Sequence, residues 1–299
     1  MKINKQNHKL NLATLNLMHK YLLKSLWGLL ISLIVPVTYL LLFLAISINK
    51  DNPGFYINSI YAVLGISVLP ISLLTIPAMN IEFRKSIFLR KLKLENVSRY
   101  RYNLLVFTYF FLVQLAICLI NFIFYISIAA ITKNMDLYSK NINIWDAIKK
   151  INYGAVFYSI FMLLTVAISF AILLSTFIKS SLLAQIISIG IIFLSLLFCG
   201  VVIQIEEWDK VTFLRYVALF SPLSQPILSI NISTTINFIN LQTWDFSLNN
   251  LFDFSSNVVL VKDRIIFQNW FKPLFIFLPI IYSSLFLVFG IRNFNFSSR

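Results

Sequence analysis

The chain has 299 residues, of which 59% are hydrophobic and 12% charged, with a net charge of +14 and a mean hydropathy of +0.83. A soluble domain carries about 25% charged residues, so this composition excludes a soluble globular protein and makes lipid the main solvent. Two cysteines in apolar runs and two histidines in a polar N-terminal stretch exclude a disulfide framework and a zinc cluster.

In residues 1–24, Leu12, Leu15, Met18 and Leu22 recur at helical spacing, with Lys20 and Lys24 beside them. The pattern predicts an amphipathic helix and favours one lying in the inner membrane surface over a plain extension of the first span. The stretch stays polar and basic for too long to read as a cleavable leader.

Crossing a hydrocarbon core of about 30 Å takes about 20 apolar residues in a helix. Six runs qualify, at 25–47, 58–80, 104–132, 154–178, 182–205 and 272–291, none with an acid or base in its interior. Backbone groups in lipid must be satisfied within the segment, so each run is predicted helical despite its many Ile and Phe residues. The fold class that follows is all-α: a polytopic membrane protein with six transmembrane helices filling residues 25–299 behind the N-terminal helix. Pro36, Pro70, Pro77 and Pro279 fall inside runs, and the Pro70/Pro77 pair suggests a bent second helix.

Six crossings put both termini on one side. With that side cytoplasmic, residues 1–24, 81–103, 179–181 and 292–299 hold 15 of the 25 Lys and Arg against two of the 11 acids. Almost all the net charge then faces inward, as the positive-inside rule requires, and nucleic acid is not needed to explain it. Trp27, Trp208 and Trp270 sit at span ends, as interfacial anchors do.

The excursion at 206–271 is too long for a plain connector. Its stretch 211–230 is apolar but broken by Arg215, Pro222 and Pro226, which suits a re-entrant or interfacial hairpin on the outer side, with Ser221, Pro222 and Pro226 at its bend. A small polar outer cap follows. Glu206 and Glu207 read as solvated interfacial charge.

No span carries an ionisable group, which disfavours proton or sodium coupling. Gln114, Asn121 and Gln185 are the most polar groups within the runs, and interhelical hydrogen bonding is their expected role. There is no phosphate-binding loop, no H-E-x-x-H and no metal-ligand spacing. This chain is therefore expected to be no enzyme and to hold no cofactor, and any uphill work must draw energy from another polypeptide.

Residues 81–103 break the pattern, with seven cations against Glu82 and Glu95. Wound as one helix, Ile81, Phe88, Leu89 and Leu92 share one side, and Phe83, Ile87 and Leu94 gather on another. Two apolar faces suggest a helix clasped by the bundle on one side and a partner on the other, although an ordinary cationic loop would also serve.

The order of elements resembles the membrane subunits of ABC-2-type exporters. Glu82 is similar to the acid that ends the second span there, Leu89 and Leu92 to the leucines that follow, and Ser98-Arg99 to the turn into the third span. "SPLSQP" (221–226) is similar to the family's Ser-Pro stretch after the fifth span. Lys85-Ser86 and Asn96 depart from the usual Gly and Pro. The resemblance implies that residues from about Phe88 to Val97 couple to a separate ATPase subunit that binds ATP and Mg. Phe88, Leu89, Leu92 and Leu94 would fill its groove, and Arg90, Lys91 and Lys93 would meet acids on the rim. It also implies a second membrane subunit, identical or related, in a bacterial cytoplasmic membrane, with an antimicrobial or toxic peptide, a drug or a lipid-linked molecule as cargo. The alternative is a non-transporting scaffold that binds a cytoplasmic partner through residues 81–103.

Overall fold

The computed structural model describes residues 2–49, 54–95, 97–132, 144–148, 151, 153–199, 212–239, 258–261, 264–268 and 272–296. Six helices are long and apolar enough to cross a membrane. Helix α1 (Lys2–Lys24) ends where the Ser25 N–H donates to the Tyr21 carbonyl, and α2 (Leu26–Asn49) is the first membrane-length helix. The second is compound: α3 (Gly54–Pro70), a wide π-turn at Ile71–Thr75, and α4 (Ile76–Lys85). A short α5 (Ile87–Leu94) leads to α6 (Arg99–Thr132), the third. After α7 (Ile144–Ile148) come α8 (Tyr153–Phe177) and α9 (Ser181–Phe198), the fourth and fifth. Helices α10 (Thr212–Phe220) and α11 (Ser224–Ile239) precede the sixth, α12 (Lys272–Asn293).

The compound helix α3–α4 is the axis of the bundle, with most of its surface buried by α2, α6, α8, α9 and α11. Its wide turn has a local cause. A proline ring clashes with the carbonyl four residues back and returns no hydrogen bond to it. For Pro77 that carbonyl belongs to Leu73, inside the π-turn, and the Ser188 hydroxyl of α9 donates to it at 2.6 Å. The helix widens between its two prolines, and a neighbouring helix satisfies the freed group, as lipid demands. On the other flank α2 comes very close. A Cβ on Gly28 would lie 2.6 Å from Thr75 Oγ1, so a larger residue would have to displace that side chain. Gly290 makes a milder close approach where α12 meets α8, a Cβ there lying 3.3 Å from the Leu173 backbone nitrogen.

Polar groups on the axis are mostly answered by other helices. Ser72 donates to Gln114 Oε1 at 3.0 Å, and Asn121 donates to Ser67 Oγ at 2.8 Å and to the Ser32 carbonyl at 2.9 Å. Interhelical bonding by Gln114 and Asn121 is as anticipated. Gln185 departs from it: its side chain is exposed at a groove and not buried between helices.

The two ends of the bundle differ. At one end Tyr56 and Tyr125 stack at 5.0 Å, and the Tyr56 hydroxyl donates to the Tyr125 carbonyl. At the other, Tyr102 stacks on Phe294 at 5.2 Å, and Arg84 of α4 meets the end of α8. The starts of α2, α6 and α9 and the ends of α4, α8 and α12 therefore gather at this second end, with α1 and the described C-terminal residues. It also carries Lys85, Arg90, Lys91, Lys93 and Arg99.

The stretch 211–230 does not cross. Helices α10 and α11 form a hairpin with Ser221, Pro222 and Leu223 at its tip, and Ser221 Oγ lies 2.9 Å from Ser224 Oγ. Pro226 falls in the first turn of α11, where a missing N–H costs nothing. The tip reaches inward: the Tyr282 hydroxyl, midway along α12, donates to the Phe220 carbonyl, Ser229 meets Ser159, and Ile227 packs on Gly65. Residues 223–231 are all buried.

The excursion also holds a two-stranded antiparallel hairpin, β1 (Val258–Val261) and β2 (Arg264–Gln268), with Val259 opposite Phe267. Glu206, Glu207, Trp208, Trp270 and most of the expected outer cap lie outside the described residues.

Candidate functional site

Residues 81–103 do not form one helix. At Ser86 the backbone is extended (φ −81°, ψ 162°). Its N–H closes α4 on the carbonyls of Glu82 and Phe83, and its hydroxyl accepts from the Phe88 N–H at 3.3 Å, opening α5 as an N-cap. Helix α5 ends with the Val97 N–H on the Leu92 carbonyl, six residues closed on one, and Ser98 then caps α6 by accepting from the Arg101 N–H. The single-helix reading is corrected by a serine whose capping role was legible in "KSIFLRKL".

The break sorts the two apolar faces. Leu89 and Leu92 are 0% and 2% exposed and join the core of the bundle, whereas Ile87 and Leu94 are 80% and 82% exposed. Phe88 is half-buried against Phe83 at 5.4 Å, and Phe83 packs on Tyr21 at 5.7 Å rather than joining the outer face. Arg90, Lys91 and Lys93 are exposed. Of the four apolar residues expected to fill a partner's groove, Leu94 alone is fully presented. Leu89 and Leu92 root α5 in its own chain, and Ile87 takes their place outside.

Arg84 ties this end to the rest. Its guanidinium donates to the carbonyls of Ser175 and Ile178 at the end of α8 and to Asn80 of its own helix, and it lies 5.9 Å over the Phe294 ring. A cation on the last carbonyls of a helix complements the helix dipole as well as satisfying orphan acceptors. Beneath it Asn80 donates to Ser175 Oγ at 3.2 Å and accepts from the Tyr102 hydroxyl at 2.8 Å. Helices α4, α6, α8 and the C-terminal segment thus meet at one polar knot. Sequence reasoning counted Arg84 only as loop charge; its position one turn beyond Asn80 was the available signal.

Helix α1 lies against the same end. Met18 and Leu22 are buried, Leu15 is half-buried, and Leu12, Lys20 and Lys24 are exposed. Arg101 donates to Asn11 Oδ1 at 2.8 Å, and His19 shares a hydrogen bond with the Tyr109 hydroxyl. These pairs are each 90 residues apart, and the Asn121–Ser32 pair is 89 apart. Helices α1 and α2 in succession therefore accompany α6 in one direction, close to the simple extension that the sequence also allowed. Tyr21, near the end of α1, lies beside Glu82; burial, and then the adjacent carboxylate, raise its pKa above the ordinary phenol range, so it stays protonated.

Among the described residues no group of three His, Cys, Asp or Glu could hold a metal ion. A small exposed cationic helix, rooted by two leucines, joins the axial helix to α6, the longest helix among the described residues. Six membrane-length helices alternating through one packed bundle define a multi-pass α-helical membrane protein. No protein family, curated protein or solved structure matches the chain.

Proposed function

We propose that this chain is the membrane subunit of an ATP-driven exporter of the ABC-2 type, working with a separate ATPase subunit and a second membrane subunit in a bacterial cytoplasmic membrane. The single observation that carries the reading is α5. Its outer face offers Ile87 and Leu94 among Arg90, Lys91 and Lys93, and its inner face is fixed by Leu89 and Leu92. A partner gripping the outer face would move α4 and α6 as a rigid unit, which is how a motor transmits work without chemistry in the driven chain. The apolar pair would seat in a groove of the ATPase and the cations would meet acids on its rim. Cargo belongs to the same reading: a peptide, a drug or a lipid-linked molecule.

The test is purification of the tagged full chain from its native membrane, with nucleotide hydrolysis and subunit composition measured. An ATPase should co-purify, and the double variant Ile87→Asp/Leu94→Asp should lose it while the bundle keeps its melting temperature. If no ATPase is retained, or the variant retains it equally, the exporter reading fails and a non-transporting scaffold takes its place.

A further inference from the structure

A second feature lies on the flank of this end. A groove of about 420 Å³ opens between α2 and α9, bounded above by the end of α1 and floored by the π-turn. Its rim at the cationic end is polar, with Tyr21, Lys24, Glu82 and Gln185; Ile31, Leu74 and the exposed Ile189 line the rest. Leu74 is the one residue of the π-turn that is not buried.

Three observations identify the occupant. The surface beside the mouth is hydrocarbon-facing: Ile34, Leu182 and Ile186 are large, apolar and exposed. A ligand entering there must bring an apolar tail. The rim sits at the cationic end of the bundle, the level of a lipid headgroup, and it carries both signs of charge, the Glu82 carboxylate and the Lys24 ammonium. The volume suits a headgroup and the first methylenes of its chains, at the lower end of small-ligand pockets. Gln185 adds a neutral amide to that rim from the α9 side.

We propose that the groove seats an aminophospholipid from the adjacent leaflet, with its ammonium on Glu82, its phosphate on Lys24 and its acyl chains leaving between α2 and α9. The amine supplies hydrogen-bond donors as well as charge, so a primary ammonium is preferred to a trimethylated one. Gln185 binds the phosphate–glycerol region. The assignment needs no ATPase and stands or falls separately from the exporter reading.

The experiment places the full chain in nanodiscs of equal phosphatidylethanolamine, phosphatidylcholine and phosphatidylglycerol, transfers it to mild detergent without nucleotide, and identifies retained lipid by native mass spectrometry. Phosphatidylethanolamine should be retained over phosphatidylcholine by roughly tenfold, the loss expected for one charge-assisted hydrogen bond. Glu82→Gln, which removes the charge and keeps the side chain's shape, should abolish that preference at an unchanged melting temperature. Gln185→Leu, on the opposite wall, should lower total retention severalfold. Equal retention of the three lipids, a preference for phosphatidylglycerol, or a Glu82→Gln profile like the wild type overturns the assignment. So does a Gln185→Cys variant that forms a disulfide-linked dimer with no lipid retained, because the groove would then belong to a second copy of this chain.

Discussion

The axial helix and α9 are both apolar runs of membrane-crossing length, yet in the former's most apolar stretch 89% of residues are buried inside the bundle and in the latter's 17%. Hydrophobicity does not separate them, because lipid is as apolar as a protein core and rewards neither position. What separates them is everything else. The axis carries Ser59, Ser67, Ser72, Thr75 and Asn80 together with two prolines; Ser59 and Ser67 donate back to their own helix, while Ser72, Asn80 and the carbonyl freed by Pro77 take partners from other helices. Helix α9 has Ser188 turned to the axis, and Gln185 apart its exposed side chains are apolar. In a membrane, the inside of a bundle is written in polar and irregular residues.

The contrast can be broken most violently at α5. Leu92→Asp buries an unpaired carboxylate and should cost several kcal/mol, about 3–5 by analogy with other uncompensated buried charges, read as lost thermal stability in detergent. Ile87→Asp, five residues earlier but exposed, should stay within about 0.5 kcal/mol of wild type. Next is Arg84→Met, which strands the carbonyls of Ser175 and Ile178; about 2–3 kcal/mol is expected, with the ends of α8 and α12 exchanging amide hydrogens faster. Gly28→Leu drives a side chain into Thr75 and should cost about 1–3 kcal/mol, the usual range for overpacking. Gly190→Ala on α9, where nothing lies within 4 Å of a new Cβ, should stabilise by up to about 1 kcal/mol through helix propensity. The smallest effect sharpens the comparison most. Ser188→Ala leaves the Leu73 carbonyl unanswered and should cost about 1 kcal/mol. In a Pro77→Ala background a backbone N–H is restored, and that cost should vanish in a double-mutant cycle.

Much of this was legible. The six runs correspond to the six membrane-length helices, the break between α1 and α2 falls at Ser25, and the wide turn lies between Pro70 and Pro77. Segment length and the absence of interior charge carry those readings, and both survive whatever the tertiary packing does. The orientation of α5 was not legible. Periodicity placed Leu89 and Leu92 together, but a helix with two apolar stripes does not say which one its own chain claims. That depended on the phase reset at Ser86. Helix α7 was missed because five residues give no period. The β-hairpin had a signal, since "VVLV" and "RIIFQ" flank Lys262-Asp263 as strands flank a turn. Gln185 was placed among buried amides because run membership says nothing about which way a residue faces.

The wide turn at Ile71–Thr75 has a consequence for the far end of its helix. A π-turn accommodates one residue beyond the α-helical count, so everything after it stands about 100° further round the screw than an uninterrupted helix would set it. Arg84 finds the end of α8 only at that azimuth. The aim of the cationic end is thus fixed nine residues upstream, in the middle of the bundle, and closing the turn would swing the guanidinium off its carbonyls without altering any group it touches.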